Sequence, residues 1–298
     1  MITALLIFFA LVLEYVYDPI SHMKNTTVIS ITFEKYKTLV KKYIYDKYYI
    51  YLVFPIAVIV LYSLITYVID NYFHSIFTFI LDLTVLLYCL KPSEFNRKVE
   101  EIKFSQENEV KDISSPRFNY ILPNHKGRKF FENIFYNSTR NIFTVLFYFL
   151  ILGPSGSLAF IILDNYIYND KMKINQKSKK ELKIILSIIE YIPIRLCIFS
   201  FAVVANYELC SEAWRTSKKE KNLYDSNIAL INTVGMASYE KLEIDSKDAD
   251  EEKIIFIQSI IYRAFLSWLS LIGFLIIGGI FIWMRVEFFT NFYYGFHI

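Results

Sequence analysis

Six apolar runs punctuate this chain, at residues 1–17, 50–69, 73–90, 141–163, 184–205 and 264–284, and the charged residues collect between them. Runs near twenty residues match the length needed to cross bilayer hydrocarbon as a helix. Four of the runs are read as full spans. Residues 1–17 lack the basic start and small-residue cleavage site of a signal peptide and predict an uncleaved first span. Residues 50–69 and 73–90 predict a helical hairpin around Asp70-Asn-Tyr-Phe-His74, a turn without Lys or Arg and so external. Residues 264–284 predict the last span, with Trp268 and Trp283 placed as interfacial aromatics.

The other two runs are broken, one by Gly153-Pro154-Ser155-Gly156 and the other by Pro193. Basic residues number six in 18–49, ten in 91–140, eight in 206–263 and one after the last span, so loops 18–49, 91–140 and 206–263 are expected to be cytoplasmic. Six lysines in 164–183 would lie outside if both broken runs crossed the membrane. Two re-entrant segments remove the conflict, because glycine and proline interrupt helices and irregular backbone survives at membrane depth when buried in protein. The expected fold is therefore all-α: a polytopic helical membrane protein with four full spans, two broken or re-entrant segments and helical cytoplasmic loops, in one domain over 1–298. Six kinked or plain spans are the alternative.

Outside the apolar runs, residues 33–48 place Phe33, Tyr36, Leu39, Val40, Tyr43 and Ile44 on one helical face opposite lysines, which predicts an interfacial helix. The stretches 98–112 and 240–253 are charged and predict solvated faces or linkers. Composition adds to the membrane picture: 55% apolar residues, a mean hydropathy of +0.34 and a net charge of only +3. Basic residues so placed serve membrane orientation and not nucleic-acid binding. Cys89, Cys197 and Cys210 lack CxxC spacing, and His22, His74, His125 and His297 lie far apart, so neither a disulfide framework nor a metal site is indicated. Nucleotide, zinc-hydrolase and serine-nucleophile motifs are missing, and no cofactor is implied.

The candidate chemistry lies in polar groups at membrane depth. An ionisable residue in the hydrocarbon region costs about 2.5–3.5 kcal/mol on insertion scales and marks a protein interior or wet cavity. Glu190 and Arg195 stand in the fifth run, Glu14 and Asp18 close the first, and Glu132 and Asn137 precede the fourth. With Asn227 they would line one cytoplasm-facing pocket. Glu190 and Arg195 are expected either to form a charge pair that bends and locks the helix, or to present Arg195 as a clamp for a carboxylate or phosphate.

Several of these residues carry a family resemblance. The stretch Glu132 to Phe160, above all Leu146-Phe147-Tyr148 and Gly153-Pro154-Ser155-Gly156, resembles the "ExxxENxxDGxxxPLFYxxxxGPxGALxYR" segment of the CobD/CbiB cobalamin-biosynthesis membrane proteins. Glu190-Tyr-Ile-Pro-Ile-Arg195-Leu196 is similar to that superfamily's "YxPARL" signature and closer to the "DWVPVRL" form of its AmpE branch. Glu14 with Asp18-Pro19 looks like the "DxxxGDP" element, and Asp225-Ser-Asn227 resembles "SPNAGW".

In the cobalamin branch, the resemblance implies a synthase that joins an aminoalcohol phosphate to a corrinoid carboxylate as an amide. Here Tyr136 replaces the pattern's second Glu, Arg140 its Asp and Ile161 its Arg, while Asp164 and Ile167 stand where Asn and Asp belong. The AmpE branch shows the same kind of loss while keeping the proline and arginine. The resemblance thus implies an AmpE-like bacterial inner-membrane regulator, linked to β-lactamase induction and cell-wall recycling. Its partners would be the lipid bilayer and a cytoplasmic protein or anionic ligand, with the synthase as the alternative. A transporter with discontinuous helices would need an inverted repeat, which the chain does not display.

Overall fold

The computed structural model describes residues 2–16, 27–40, 47–72, 75–90, 134–169, 172, 174–217, 220, 222–239 and 249–278. Every described element is helical, and no strand occurs among these residues. In chain order they are α1 (Ile2–Val16), α2 (Thr27–Val40), α3 (Lys47–Tyr72), α4 (Ser75–Cys89), α5 (Thr144–Leu152), α6 (Pro154–Tyr168), α7 (Gln176–Ile189), α8 (Tyr191–Val204), α9 (Tyr207–Thr216), α10 (Leu223–Tyr239) and α11 (Ala249–Ile277). A helical turn at 134–138 and a π-helical stretch, Thr139–Phe143, run directly into α5.

Two helices are long and apolar enough to cross a membrane alone, through Tyr49–Tyr72 and Ile255–Leu275, and α7 with α8 makes a third if the bent pair counts as one. Of the four full spans expected, the described residues thus carry two or three helices of that kind. The reason is length: α4 has 15 residues and rises about 22 Å, short of the ~30 Å hydrocarbon core. It still forms the expected hairpin with α3, pinned by the Tyr62 hydroxyl on the buried carboxylate of Asp82. The described part of α1 is likewise 15 residues and packs on α4. The outer face of α3, with Ile56, Val60, Leu61 and Leu64 exposed, is the kind of contiguous apolar surface that a bilayer covers.

The broken run 141–163 folds back on itself. Gly153 adopts φ 72°, ψ −163°, a region open to glycine, and Pro154 follows as the first residue of α6, where its missing N–H costs nothing. Gly156 lets the two helices close, since a Cβ there would lie 2.5 Å from Leu152 Cβ and 2.8 Å from the Tyr148 carbonyl oxygen. The reversal brings residues twelve apart into contact. Ser157 Oγ donates to the Val145 carbonyl at 3.0 Å, and the Tyr148 and Phe160 rings stack with centroids 5.8 Å apart. A straight helix would hold these pairs about 18 Å apart.

The run 184–205 behaves differently. The break between α7 and α8 falls at Glu190, not at Pro193, and bends the chain by 51°. Pro193 lies in the first turn of α8, where proline is tolerated. Asn175 starts α7 by accepting the Ser178 N–H at 2.7 Å, which leaves the lysine-rich face outward and Leu182 and Leu186 inward.

At the centre lies α6, buried along Phe160–Ile167 and packed by α3, α4, α5 and α7. Around α8 gather α9, α10, α11 and the π stretch. Trp268 on α11 is not the interfacial anchor its sequence position suggests. It is 6% exposed, donates to Ser200 Oγ at 2.6 Å and meets the Phe143 ring edge-on, because α11 begins well before residue 264 and turns this position inward. Trp283 lies outside the described residues. The expected interfacial helix begins earlier, at Thr27, and its Phe33 is buried against Tyr51, Phe54 and Tyr166, while Leu39 stays exposed. Phe33 is thus protein-covered, and Tyr43 and Ile44 lie outside the described residues.

Candidate functional site

The α7–α8 break sets the site. Because Pro193 has no N–H, the Ile189 carbonyl loses its donor four residues on. The Tyr148 hydroxyl of α5 donates to it instead, at 2.8 Å. One half-turn earlier, Asn227 Nδ2 of α10 donates to the Ser187 carbonyl at 2.8 Å. Both carbonyls therefore bond to side chains from neighbouring helices, which satisfies polar backbone that a bent helix would leave exposed to an apolar interior.

Arg195 orients Asn227. Its Nη1 donates to Asn227 Oδ1 and to the Tyr191 carbonyl, both at 2.9 Å, and the guanidinium lies 3.3 Å from the centroid of the Tyr191 ring. Stacked and partly exposed, the planar group is fixed along one edge. Its Nε and Nη2 make no hydrogen bond among the described residues.

Glu190, only 1% exposed, points the other way. Its Oε2 accepts from the Tyr136 hydroxyl at 3.0 Å. The Tyr136 and Tyr168 hydroxyl oxygens are 2.9 Å apart, and the Tyr168 and Tyr224 hydroxyls are hydrogen-bonded in turn. Beside this chain, Arg140 Nε lies 2.7 Å from Asp164 Oδ1, and the Arg140 guanidinium sits 3.6 Å above the Tyr168 ring. Lys183 Nζ lies 4.8 Å from the centroid of the Tyr224 ring. Burial, and then the Tyr168 hydroxyl, raise Tyr224 far above the ordinary tyrosine range, so it stays a neutral phenol.

Local sequence places these groups. The turn 134–138 and the π stretch put Tyr136 and Arg140 four residues apart on one helical face. A π stretch adds a residue per turn and is often found where a helix re-aims side chains at a site. Asp164 and Tyr168 share the same spacing on α6, so two i, i+4 pairs face each other across the bundle.

Several expectations are corrected. Glu190 and Arg195 form no ion pair, because five residues and the break separate their directions, and the carboxylate turns to Tyr136 while the guanidinium turns to Asn227. Asn227 meets Arg195 through its Oδ1, and Asn137, next to Tyr136 in sequence, is buried. Glu14 falls in α1, and Asp18 and Glu132 lie outside the described residues. The breaks at Gly153, Pro154 and Gly156 act as read, whereas Pro193 acts through the carbonyl it leaves unpaired.

Arg140, Asp164, Tyr168 and Tyr224 were missed as site residues. The signal was available: a lone Arg and a lone Asp flank the fourth apolar run, and Tyr136, Arg140 and Asp164 are positions where the chain departs from the cobalamin pattern. No group of three metal-ligating side chains occurs among the described residues. Cys89, Cys197 and Cys210 are buried, and burial pushes the Cys210 thiol up. Comparison with protein-family profiles, curated proteins and solved structures finds no match for this chain.

Proposed function

We propose that this chain is a multi-pass protein of the bacterial inner membrane that acts as an AmpE-like regulator, recognising a carboxylate- or phosphate-bearing ligand or an acidic partner segment at Arg195. The observation that carries this is the geometry of Arg195: stacked on Tyr191, held through Nη1 by Asn227, with Nε and Nη2 uncommitted. A pre-oriented planar fork is the group best suited to bidentate anion capture, and its ordering cost is already met. The tests are a β-lactamase induction reporter and a protein-level control. Arg195→Met and Arg195→Lys should both reduce the regulatory output, because lysine offers a point charge instead of a fork, while the protein remains folded in the membrane. Unchanged output in both variants overturns the role.

The alternative, an amide-forming synthase of the CobD/CbiB type, fits less well. The groups at 136, 140 and 164 that differ from the synthase pattern bond to Glu190, Asp164 and Arg140 within the buried cluster, which leaves them turned inward. Rescue of a corrinoid auxotroph by this gene would reverse the order of the two.

A further inference from the structure

The Glu190 cluster is separate from the Arg195 edge, and its chemistry is that of a proton site. Two carboxyl groups, Asp164 and Glu190, face one guanidinium, Arg140, and all three are 4% exposed or less. Arg140 is committed to Asp164 at 2.7 Å. Glu190 lies within Coulombic reach of both. Glu190 itself makes no ion pair among the described residues, so an ionised Glu190 would be a buried charge held by one hydrogen bond, which a low-dielectric interior does not tolerate. Its Oε1 accepts no hydrogen bond among the described residues.

Three hydroxyls lead away from it. Each tyrosine has one proton to donate. When Tyr136 donates to Glu190, Tyr168 must donate to Tyr136 and Tyr224 to Tyr168, so the chain has a direction. Exposure rises along it, from Glu190 and Tyr136 in the core to the partly exposed Tyr224 in the first turn of α10, beside exposed Leu223 and Asp225. Among the described residues, the groups gathered about Glu190 are Tyr136 and Arg140 from the π-helical side and Asp164 and Tyr168 from α6, with Tyr224 of α10 at the far end of the hydroxyl chain. From α7, Lys183 reaches the outer ring of the chain, and from α8, Tyr191 and Arg195 turn to one another.

We propose that Glu190 is a proton-exchange site, loaded and emptied through the hydroxyl chain Tyr136, Tyr168 and Tyr224 from the end of the bundle where α10 begins. On loading, water at Tyr224 supplies a proton. Each hydroxyl accepts one proton on oxygen and passes its own inward, and Glu190 Oε2 forms the final O–H bond. Hydroxide is left outside, all three phenols end neutral, and Glu190 ends as a neutral carboxylic acid. Unloading is the reverse.

The test is infrared difference spectroscopy on the full-length protein in vesicles, following the protonated-carboxyl stretch and its shift on transfer to heavy water. We expect a carboxyl band near neutral pH that Glu190→Gln removes. In Tyr168→Phe, which keeps the ring under Arg140, the isotope shift of that band should slow by about 10²-fold, the scale of a lost positioned proton carrier. If Glu190→Gln does not fold, Glu190→Asp must move the band. No carboxyl band assignable to residue 190 overturns the proposal, whether or not sodium ions stabilise the protein in its place. A Tyr168→Phe exchange rate equal to the wild-type rate overturns the relay. Neither outcome depends on Arg195.

Discussion

Arg140 and Asp164, 24 residues apart in sequence, meet as an ion pair in which the guanidinium is 2% exposed and its Nε lies 2.7 Å from the carboxylate. The pair joins the π-helical stretch to the central helix α6, and Tyr168 on that same helix caps the guanidinium face at 3.6 Å. Removing one partner takes from the other the counter-charge that lies 2.7 Å away in the core. Arg140→Met or Asp164→Asn should each destabilise the protein by about 3–5 kcal/mol. The double variant should cost clearly less than the sum, because both substitutions remove the same interaction. Thermal unfolding of the four proteins in one detergent measures the coupling.

The hydroxyl of Tyr148 substitutes for the N–H that Pro193 lacks. Tyr148→Phe should therefore cost about 1 kcal/mol, the net worth of one such bond. In a Pro193→Ala background the backbone regains a donor for the Ile189 carbonyl, and the same substitution should cost little. Equal costs in both backgrounds would mean that the proline and the tyrosine are not linked.

The close approach at the α5–α6 reversal should make Gly156→Ala destabilising by about 1–3 kcal/mol, since the obstructing atoms are a Cβ and a backbone oxygen that cannot rotate away. Gly273→Ala in α11 is the control. A Cβ there meets nothing within 4 Å, and the melting temperature should not fall.

The lysine-rich start of α7 tests the orientation proposed for the loops. Lys177 is exposed, whereas Asn175 caps the helix, so Lys177→Cys is the better reporter. With the three native cysteines replaced, a membrane-impermeant thiol reagent should label it from the cytoplasmic side of intact vesicles. Labelling from the other side would place the 164–183 segment outside and reverse the loop assignment.

Much of the helical inventory was legible from periodicity and length, because an apolar run near twenty residues has few alternatives to a helix, and α3 and α11 answer to it. The reversal at Gly153-Pro154 was legible too, since only glycine reaches that backbone conformation comfortably and proline fixes the next helix start. Glu190 stood out as a charge in an apolar run. Its partners did not.

What the sequence by itself determined, then, was that this chain is helical, rich in membrane-length apolar segments and interrupted at two places. The tertiary structure decided which way each polar group faces. Arg195 and Glu190 are neighbours in sequence but the break at Glu190 rotates them apart, while Tyr136, Asp164, Tyr168 and Tyr224 converge only because α6 folds back on α5 and α10 packs across α7. Hydrophobic patterning is local and fixes which residues turn inward. Which inward-facing polar groups then meet depends on a bend of 51° and a hairpin closure, and those are set by contacts between helices distant in the chain.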